Sequence, residues 1–327
     1  MSEQSEYAPY SNQGYNGPLR GGLLDSVEGL HNQIHGLLGG HMASVPFAAF
    51  DPMFWLHHTN LDRLEALWQA MYPQSYVVPQ LNRIGTYVRD QNTIENSTTP
   101  LYPFRKSEDD YYAAQDVRST SRFGYTYPEI RGLGLTPSQL SFEVRSIVQA
   151  LYNRDARQPP LTRRSAPYDT PINKTEPASP KYQDWFLNIR ANRQMIPETY
   201  LINFFFGEPP QQCTDWPSAD NRAGTQVVFS GDGITSNWAR DMGQIPLNRQ
   251  LITQQQCGEL ESYEKSVILG YLKDVLQWQV LTASGLEVDA CTLDCLKLTI
   301  AYRDVYEPRS NDTSFSYGEF KEVLELN

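Results

Sequence analysis

All five histidines of this 327-residue chain fall between positions 31 and 58. His31 and His35 stand four apart in a segment of helical period, so both imidazoles leave the same face. Asp25 or Ser26 can cap that helix, Leu30, Ile34, Leu37 and Leu38 give it an apolar side, and Gly39-Gly40 ends it. After a loop holding Pro46 and Asp51-Pro52, a second helix reads from about His58 to Tyr72. Its Leu61, Leu64, Leu67, Trp68 and Met71 recur at helical spacing, and Pro73 stops it. Two amphipathic helices joined by a loop predict a helical hairpin that packs against further helices.

Three imidazoles, from His31, His35 and His58, can close around one metal ion between those helices. All-nitrogen ligation suits copper or zinc and disfavours magnesium or calcium. Three protein ligands with positions left open read as a catalytic rather than a structural site. A lone His-x-x-x-His pair is more often a coincidence of surface or core. Here the aromatic run Phe54-Trp55-Leu56-His57-His58 adds two more histidines and strengthens the metal reading. A zinc hydrolase would carry Glu inside the His-x-x-x-His turn, where this chain has Asn32-Gln33-Ile34.

The rest of the chain changes period. From Pro73 to about Gly134 it reads as irregular, with a short helix expected near Ser138 to Tyr152. A stretch from Arg154 to Pro180 holds Pro159, Pro160, Pro167, Pro171, Pro177 and Pro180 and reads as a linker exposing Arg163-Arg164. Beyond it Trp185, Leu187 and Ile189 alternate with polar neighbours, as do Leu296, Leu298, Ile300 and Tyr302. Apolar runs at Tyr200–Phe206, Gln226–Phe229 and Trp278–Leu281 are strand-like, interrupted by one helix at about Glu259 to Leu276. The expected fold class is therefore multidomain α and β: a partial helical bundle over residues 1–133, a helix and Pro-rich linker over 134–180, and a β-rich, sandwich-like domain over 181–327.

A net charge of −11 argues against nucleic-acid or anionic-membrane partners, which need a basic surface. The lead from Met1 to Gly22 has no apolar run suited to a signal peptide, and no later stretch is long enough to span a bilayer, so a cytoplasmic protein is expected. Without a secretory signal, Cys213, Cys257, Cys291 and Cys295 are expected as thiols, and the sequons at Asn96, Asn173 and Asn311 carry little weight.

The wording around the histidines is more specific than their spacing. Glu28-Gly29-Leu30-His31-Asn32-Gln33-Ile34-His35-Gly36, followed by Asp51-Pro52-Met53-Phe54-Trp55-Leu56-His57-His58-Thr59-Asn60-Leu61-Asp62-Arg63, resembles the copper B half of fungal tyrosinases, members of the type 3 copper family. Phe123-Gly124-Tyr125-Thr126-Tyr127-Pro128 looks like the Tyr-x-Tyr motif that closes the fungal catalytic domain. The β-rich segment is similar to the family's C-terminal shielding domain in general pattern only.

The resemblance implies His31, His35 and His58 as ligands of copper B, with His57 in a supporting or packing role. Glu28 and Asn32 would hold and polarise a water able to take a phenol proton, although Glu28 also suits the first turn of a helix through its dipole. Asp62, four residues after His58, could accept a hydrogen bond from a ligand imidazole, or simply pair with Arg63 on the helix surface. His41 is expected in solvent. Cys291 and Cys295 are spaced more widely than the cysteine pair linked to copper loading in related enzymes, so core packing is an equal reading.

An intact relative would use two coppers and molecular oxygen to hydroxylate monophenols and oxidise o-diphenols to o-quinones. Phenolic small molecules and oxygen are the implied partners. The alternatives are a catechol oxidase without hydroxylase activity and a non-catalytic protein holding one copper. A type 3 pair needs six imidazoles, and no histidine precedes Leu30. The expectation is a truncated member encoding one copper site, with a partner chain supplying the copper A half as a further option.

Overall fold

The computed structural model describes residues 5–15, 25–82, 85–86, 88–152, 181–193, 195–230, 240–290, 293, 296–306 and 316–326. The linker expected at 154–180 and both Cys291 and Cys295 lie outside them. Cys213 and Cys257 are free thiols. Among the described residues no helix is long and apolar enough to cross a membrane.

The N-terminal part is helical: α1 (Tyr7–Ser11), α2 (Val27–Leu38), α3 (Pro52–Met71) and α4 (Pro137–Tyr152). Ser26 caps α2, its hydroxyl accepting from Gly29 N at 3.0 Å, and Gly39 and Gly40 end it at φ 67° and 54°. The second helix starts earlier than its periodicity suggested. Asp51 is an N-cap whose carboxylate accepts from Met53 N at 2.9 Å, and Pro52 takes the first helical position, where its missing N–H costs nothing. Asp-Pro, read as loop, is thus a helix start, and His57 and His58 fall in its second turn.

Tyr10, Leu67, Trp68, Met71, Val144 and Val148 form one core where α1, α3 and α4 meet. The C-terminus of α3 is tied to α4, since Ser141 Oγ and Arg145 Nη2 both donate to Met71 O, at 2.8 and 2.7 Å. Between α3 and α4 the chain is less irregular than expected. It folds into two antiparallel pairs, β1 (Gln80–Asn82) with β2 (Thr93–Glu95) and β3 (Pro100–Arg105) with β4 (Tyr111–Ala113).

The Tyr-x-Tyr segment returns to α3. Tyr125 Oη donates to Asp62 Oδ2 at 2.8 Å, Tyr127 Oη donates to the same oxygen, and Arg63 pairs with Glu129. The Arg63 guanidinium holds the Glu129 carboxyl below its ordinary value of 4.5. A depressed carboxylate contributes stability that is complete above the ordinary value and is lost as pH falls through the lower folded one. Glu129→Gln should therefore lower the urea midpoint at neutral pH but match the parent in acid, a convergence that denaturation curves across pH 2–7 would show.

The C-terminal part is a sandwich, as the alternating pattern implied. One antiparallel sheet runs β10 (Glu287–Val288), β9 (Leu276–Thr282), β6 (Tyr200–Phe206), β7 (Arg222–Val228). The other runs β12 (Ser316–Tyr317), β11 (Lys297–Tyr306), β5 (Tyr182–Asn192), β8 (Arg240–Pro246), with β13 (Lys321–Glu325) also on β11. Leu187, Ile189, Ile202, Phe204, Val280, Leu298 and Ile300 are fully buried in the core that joins them. Helices α5 (Asn248–Gln256) and α6 (Lys265–Val275) pack on it through Leu251, Ile268 and Leu272; α5, β8 and β13 lacked a pattern strong enough to be read in sequence.

Helix α2 lies against this sandwich, not on its leucine stripe. Gly29, Asn32, His35 and Gly36 are its buried residues, whereas Leu30, Leu37 and Leu38 are about half exposed. Gln33 satisfies the free edge of β7, accepting from Val227 N at 3.2 Å and donating to Gln226 Oε1 at 3.0 Å. Gly36 permits the approach, because a Cβ there would sit 2.3 Å from Val227 Cγ1. Overpacking costs about 1–3 kcal/mol, while replacing a helical glycine returns up to ~1 kcal/mol. Gly36→Ala should thus be destabilising, and adding Val227→Ala should recover most of the lost melting temperature.

Candidate metal centre

Helix α2 and the second turn of α3 bring four imidazoles together. Ring centroids of His31 and His35 are 4.4 Å apart, and His57 and His58 each lie 5.1–5.4 Å from both. His41 is exposed and apart. Burial lowers the pKa of His31 and His35, and lowers His57 further, to about 4, where the three neighbouring imidazoles add to the effect. Neutral rings are the form that ligates a metal.

The rings share one polarity, and His57 follows it too, with its hydrogen bond to the His31 backbone and its Nε2 left free. His35 Nδ1 meets Met42 O at 2.6 Å, His58 Nδ1 meets Phe54 O at 2.7 Å, and His31 Nδ1 meets Asn32 Oδ1 at 2.8 Å. Each partner is an oxygen acceptor, so each Nδ1 carries the proton and each Nε2 keeps its lone pair. His31 Nε2 and His58 Nε2 then face each other at 3.1 Å. Two bare lone pairs at that distance repel unless a cation lies between them, and nitrogens bound to one ion at ~2.0–2.1 Å stand about this far apart. His35 Nε2 is buried without a hydrogen-bond partner.

His57 complicates the set. The ligand atoms of His31, His35 and His57 all lie within 4.8 Å of one another, and His57 Nε2 is also buried and unpartnered. Its ring, however, stacks on that of His31 at an interplanar angle of 18°, whereas His58 presents an edge to His31 at 77°. Spacing favours His57, the 3.1 Å nitrogen pair favours His58, and the backbone hydrogen bond does not separate them, since both rings have one.

The carboxylates sit differently from their sequence expectations. Asp62 accepts from Tyr125 and Tyr127, not from an imidazole, and Arg63 belongs to Glu129. The i+4 position of Asp62 points it at the returning tyrosine segment, while the Phe54 carbonyl one turn back takes the His58 Nδ1 proton. Glu28 accepts from Gln13 N at 2.8 Å and from Arg193 Nη2 at 3.2 Å, and Arg193 also pairs with buried Asp241. Asn32 donates to Gln13 Oε1 at 2.7 Å. Glu28 and Asn32 are thus both linked to Gln13.

An aromatic from the sandwich covers the histidines. Phe229, just past β7, lies 4.9 Å from the His35 ring and edge-on to His31 at 6.3 Å. Burial pushes the Asp241 carboxyl up to about 6, against the pull of Arg193 and of the Phe229 backbone N–H, and its Oδ2 has no partner within hydrogen-bond distance. Thr199, before β6, donates to Ala43 O at 2.9 Å and adds a second tie to the turn after α2. Phe229 ends a run legible as a strand, but nothing local marks it, Gln13 or Arg193 as neighbours of the histidines.

The family model for the common central domain of tyrosinase matches residues 2–71, and that for the tyrosinase C-terminal domain matches residues 184–300. The chain belongs to the tyrosinase family. Polyphenol oxidase 2 of Agaricus bisporus is 31% identical over 76% of this chain and 46% of its own length. Tyrosinase of Neurospora crassa is 24% identical over 87% of this chain and 56% of its own length. A recombinant mushroom tyrosinase structure superposes with a TM-score of 0.70 at 22% identity, covering 97% of this chain and 60% of that one, and so supports the fold. The chain spans about half the length of the curated relatives it matches. Tyrosinases are copper proteins, and the all-nitrogen imidazole set here fits that ion.

Proposed function

We propose that this chain carries the copper B half of a type 3 site, with His31, His35 and His58 as its ligands, in a copper oxidoreductase acting on phenols. The observation that supports this reading is the 3.1 Å approach of His31 Nε2 and His58 Nε2, on rings whose Nδ1 atoms are on oxygens, beside the free Nε2 of His35. Copper supplies the redox couple through which oxygen and a phenol can react. The preferred activity is o-hydroxylation of monophenols followed by oxidation of o-diphenols to o-quinones, with a diphenol-only oxidase as the runner-up.

The protein's own groups have separate tasks. The Met42 and Phe54 carbonyls orient His35 and His58, and His57 packs behind His31. Glu28 is the group able to take a phenol proton, but here its carboxylate is held by Arg193. Phe229 occupies the ring face that an aromatic substrate would need. The sandwich, proposed as a separate unit beyond residue 180, thus restrains both. Its withdrawal, by cleavage in the 154–180 segment, would release the site.

A second triad of imidazoles would come from another polypeptide segment. Leu30, Leu37, Trp55 and Leu56 on the two histidine helices are 49%, 51%, 61% and 66% exposed and offer it an apolar seat. The test is oxygen uptake by the copper-loaded chain with a monophenol and with an o-diphenol. Uptake on both supports the hydroxylase reading, and uptake on the diphenol alone supports the runner-up. A chain with one copper and no uptake would be a single-copper protein as it stands.

A further inference from the structure

Gln13, in the turn after α1, is fully buried between the histidine helices and the sandwich. Its Nε2 donates to Met242 O on β8 at 2.9 Å. Its Oε1 accepts from Asn32 Nδ2 at 2.7 Å, and Asn32 Oδ1 meets His31 Nδ1 at 2.8 Å. The orientation of an amide is set by its partners, and only one partner in this chain has a fixed sense. A backbone carbonyl can only accept, so Met242 O must face the Gln13 NH₂. Gln13 Oε1 then faces Asn32 and can only accept, so Asn32 must present its NH₂. What remains toward His31 is Asn32 Oδ1, an acceptor, and His31 must protonate Nδ1.

We propose that Gln13 is a positioning residue for His31, relaying the polarity of the Met242 carbonyl through Asn32 so that the Nε2 lone pair of His31 stays available to a metal. His35 and His58 need no such relay, because backbone carbonyls at Met42 and Phe54 fix them directly. His31 is the only one of the three oriented by a side chain that could turn over. With Gln13 removed, Asn32 can rotate, present its NH₂ to Nδ1 and move the His31 proton to Nε2. Met242 belongs to the sandwich, so the element that covers the site also prepares one of its nitrogens. The metal's part in this rests on the function proposed above; the relay does not.

The test uses the full chain, metal-free and labelled with ¹⁵N-histidine, because long-range ¹H–¹⁵N spectra at neutral pH report each ring's tautomer. The parent should show Nδ1–H at His31, His35 and His58. Gln13→Met should shift His31 toward Nε2–H with His35 and His58 unmoved, and weaken Cu(I) binding by about tenfold. In an Asn32→Asp background, whose carboxylate accepts whichever way it turns, Gln13→Met should leave the His31 tautomer unchanged. Gln13→Glu, an acceptor-only group toward Asn32, should keep Nδ1–H, and it decides the matter if Gln13→Met does not fold. The relay is overturned if His31 is unmoved in a folded Gln13→Met chain, moves equally in the Asn32→Asp background, or loses Nδ1–H in a folded Gln13→Glu chain. A His31 tautomer that follows Gln13 in a chain taking up no copper would sustain the relay and sink the copper reading. Copper uptake with an unresponsive tautomer would do the reverse.

Discussion

His35→Ala should leave the chain unable to hold copper, lowering its affinity by at least two orders of magnitude, while His57→Phe should keep the metal. The contrast follows from where the lone pairs go. His35 is buried with Nδ1 committed to the Met42 carbonyl, so Nε2, which has no protein partner, is the atom left for a metal. Removing one of three nitrogens leaves the ion two, short of the three protein ligands that an open catalytic site keeps. His58→Ala should behave like His35→Ala, because its Nε2 stands 3.1 Å from that of His31. His57 lies flat against His31, and a phenyl ring can take over that stacking. Equilibrium titration with Cu(I) against a competing chelator distinguishes the variants. Retention by His58→Ala together with loss in His57→Phe would exchange the two assignments.

Trp68→Ala should destabilise the helical part by about 3–5 kcal/mol, the usual cost of deleting a fully buried large aromatic. Trp68 is fully buried in the core shared by α1, α3 and α4. Tyr10 stacks on it at 4.2 Å and 5°, and Tyr7 meets it edge-on at 6.0 Å. Those contacts hold α1, and α1 leads directly into Gln13. Loss of Trp68 should therefore also loosen the turn that holds Glu28 and Asn32. Urea denaturation measures the first effect. Hydrogen exchange at Gln13 and Leu30 measures the second, and faster exchange there than in β5 and β11 is the expected pattern.

Much of this was legible in the sequence because it depends on local period. The His31/His35 pair, the Gly39-Gly40 stop, the Ser138–Tyr152 helix and the alternation of Leu187 and Ile189 each follow from neighbours a few residues apart. What was not legible depends on contacts across the chain. The leucine stripe of α2 predicted its buried face, but Gly36 lets β7 approach the opposite side, and Val227 occupies the space. Asp51-Pro52 carried a helix-start signal that the loop reading passed over. Asp62 was placed on the correct helical face for an imidazole, yet the tyrosines of a segment some 65 residues later reach it first.

The site divides along the same line. The three ligand candidates come from one short motif, whereas the groups that orient and cover them are distant in sequence. Gln13 precedes the motif in the chain, Arg193 and Asp241 follow on β-strand ends, and Phe229 closes a strand. Each is an unremarkable residue locally. Contacts between α2, the turn after α1 and the sandwich bring them to the histidines.

The measurement that bears most directly on the central claim is the copper content of the full purified chain, titrated with Cu(I) to saturation. One tightly held ion per chain, lost in His31→Ala, His35→Ala and His58→Ala alike, is the result expected of a single three-imidazole site. No tight binding, or an ion that survives all three substitutions, would contradict it.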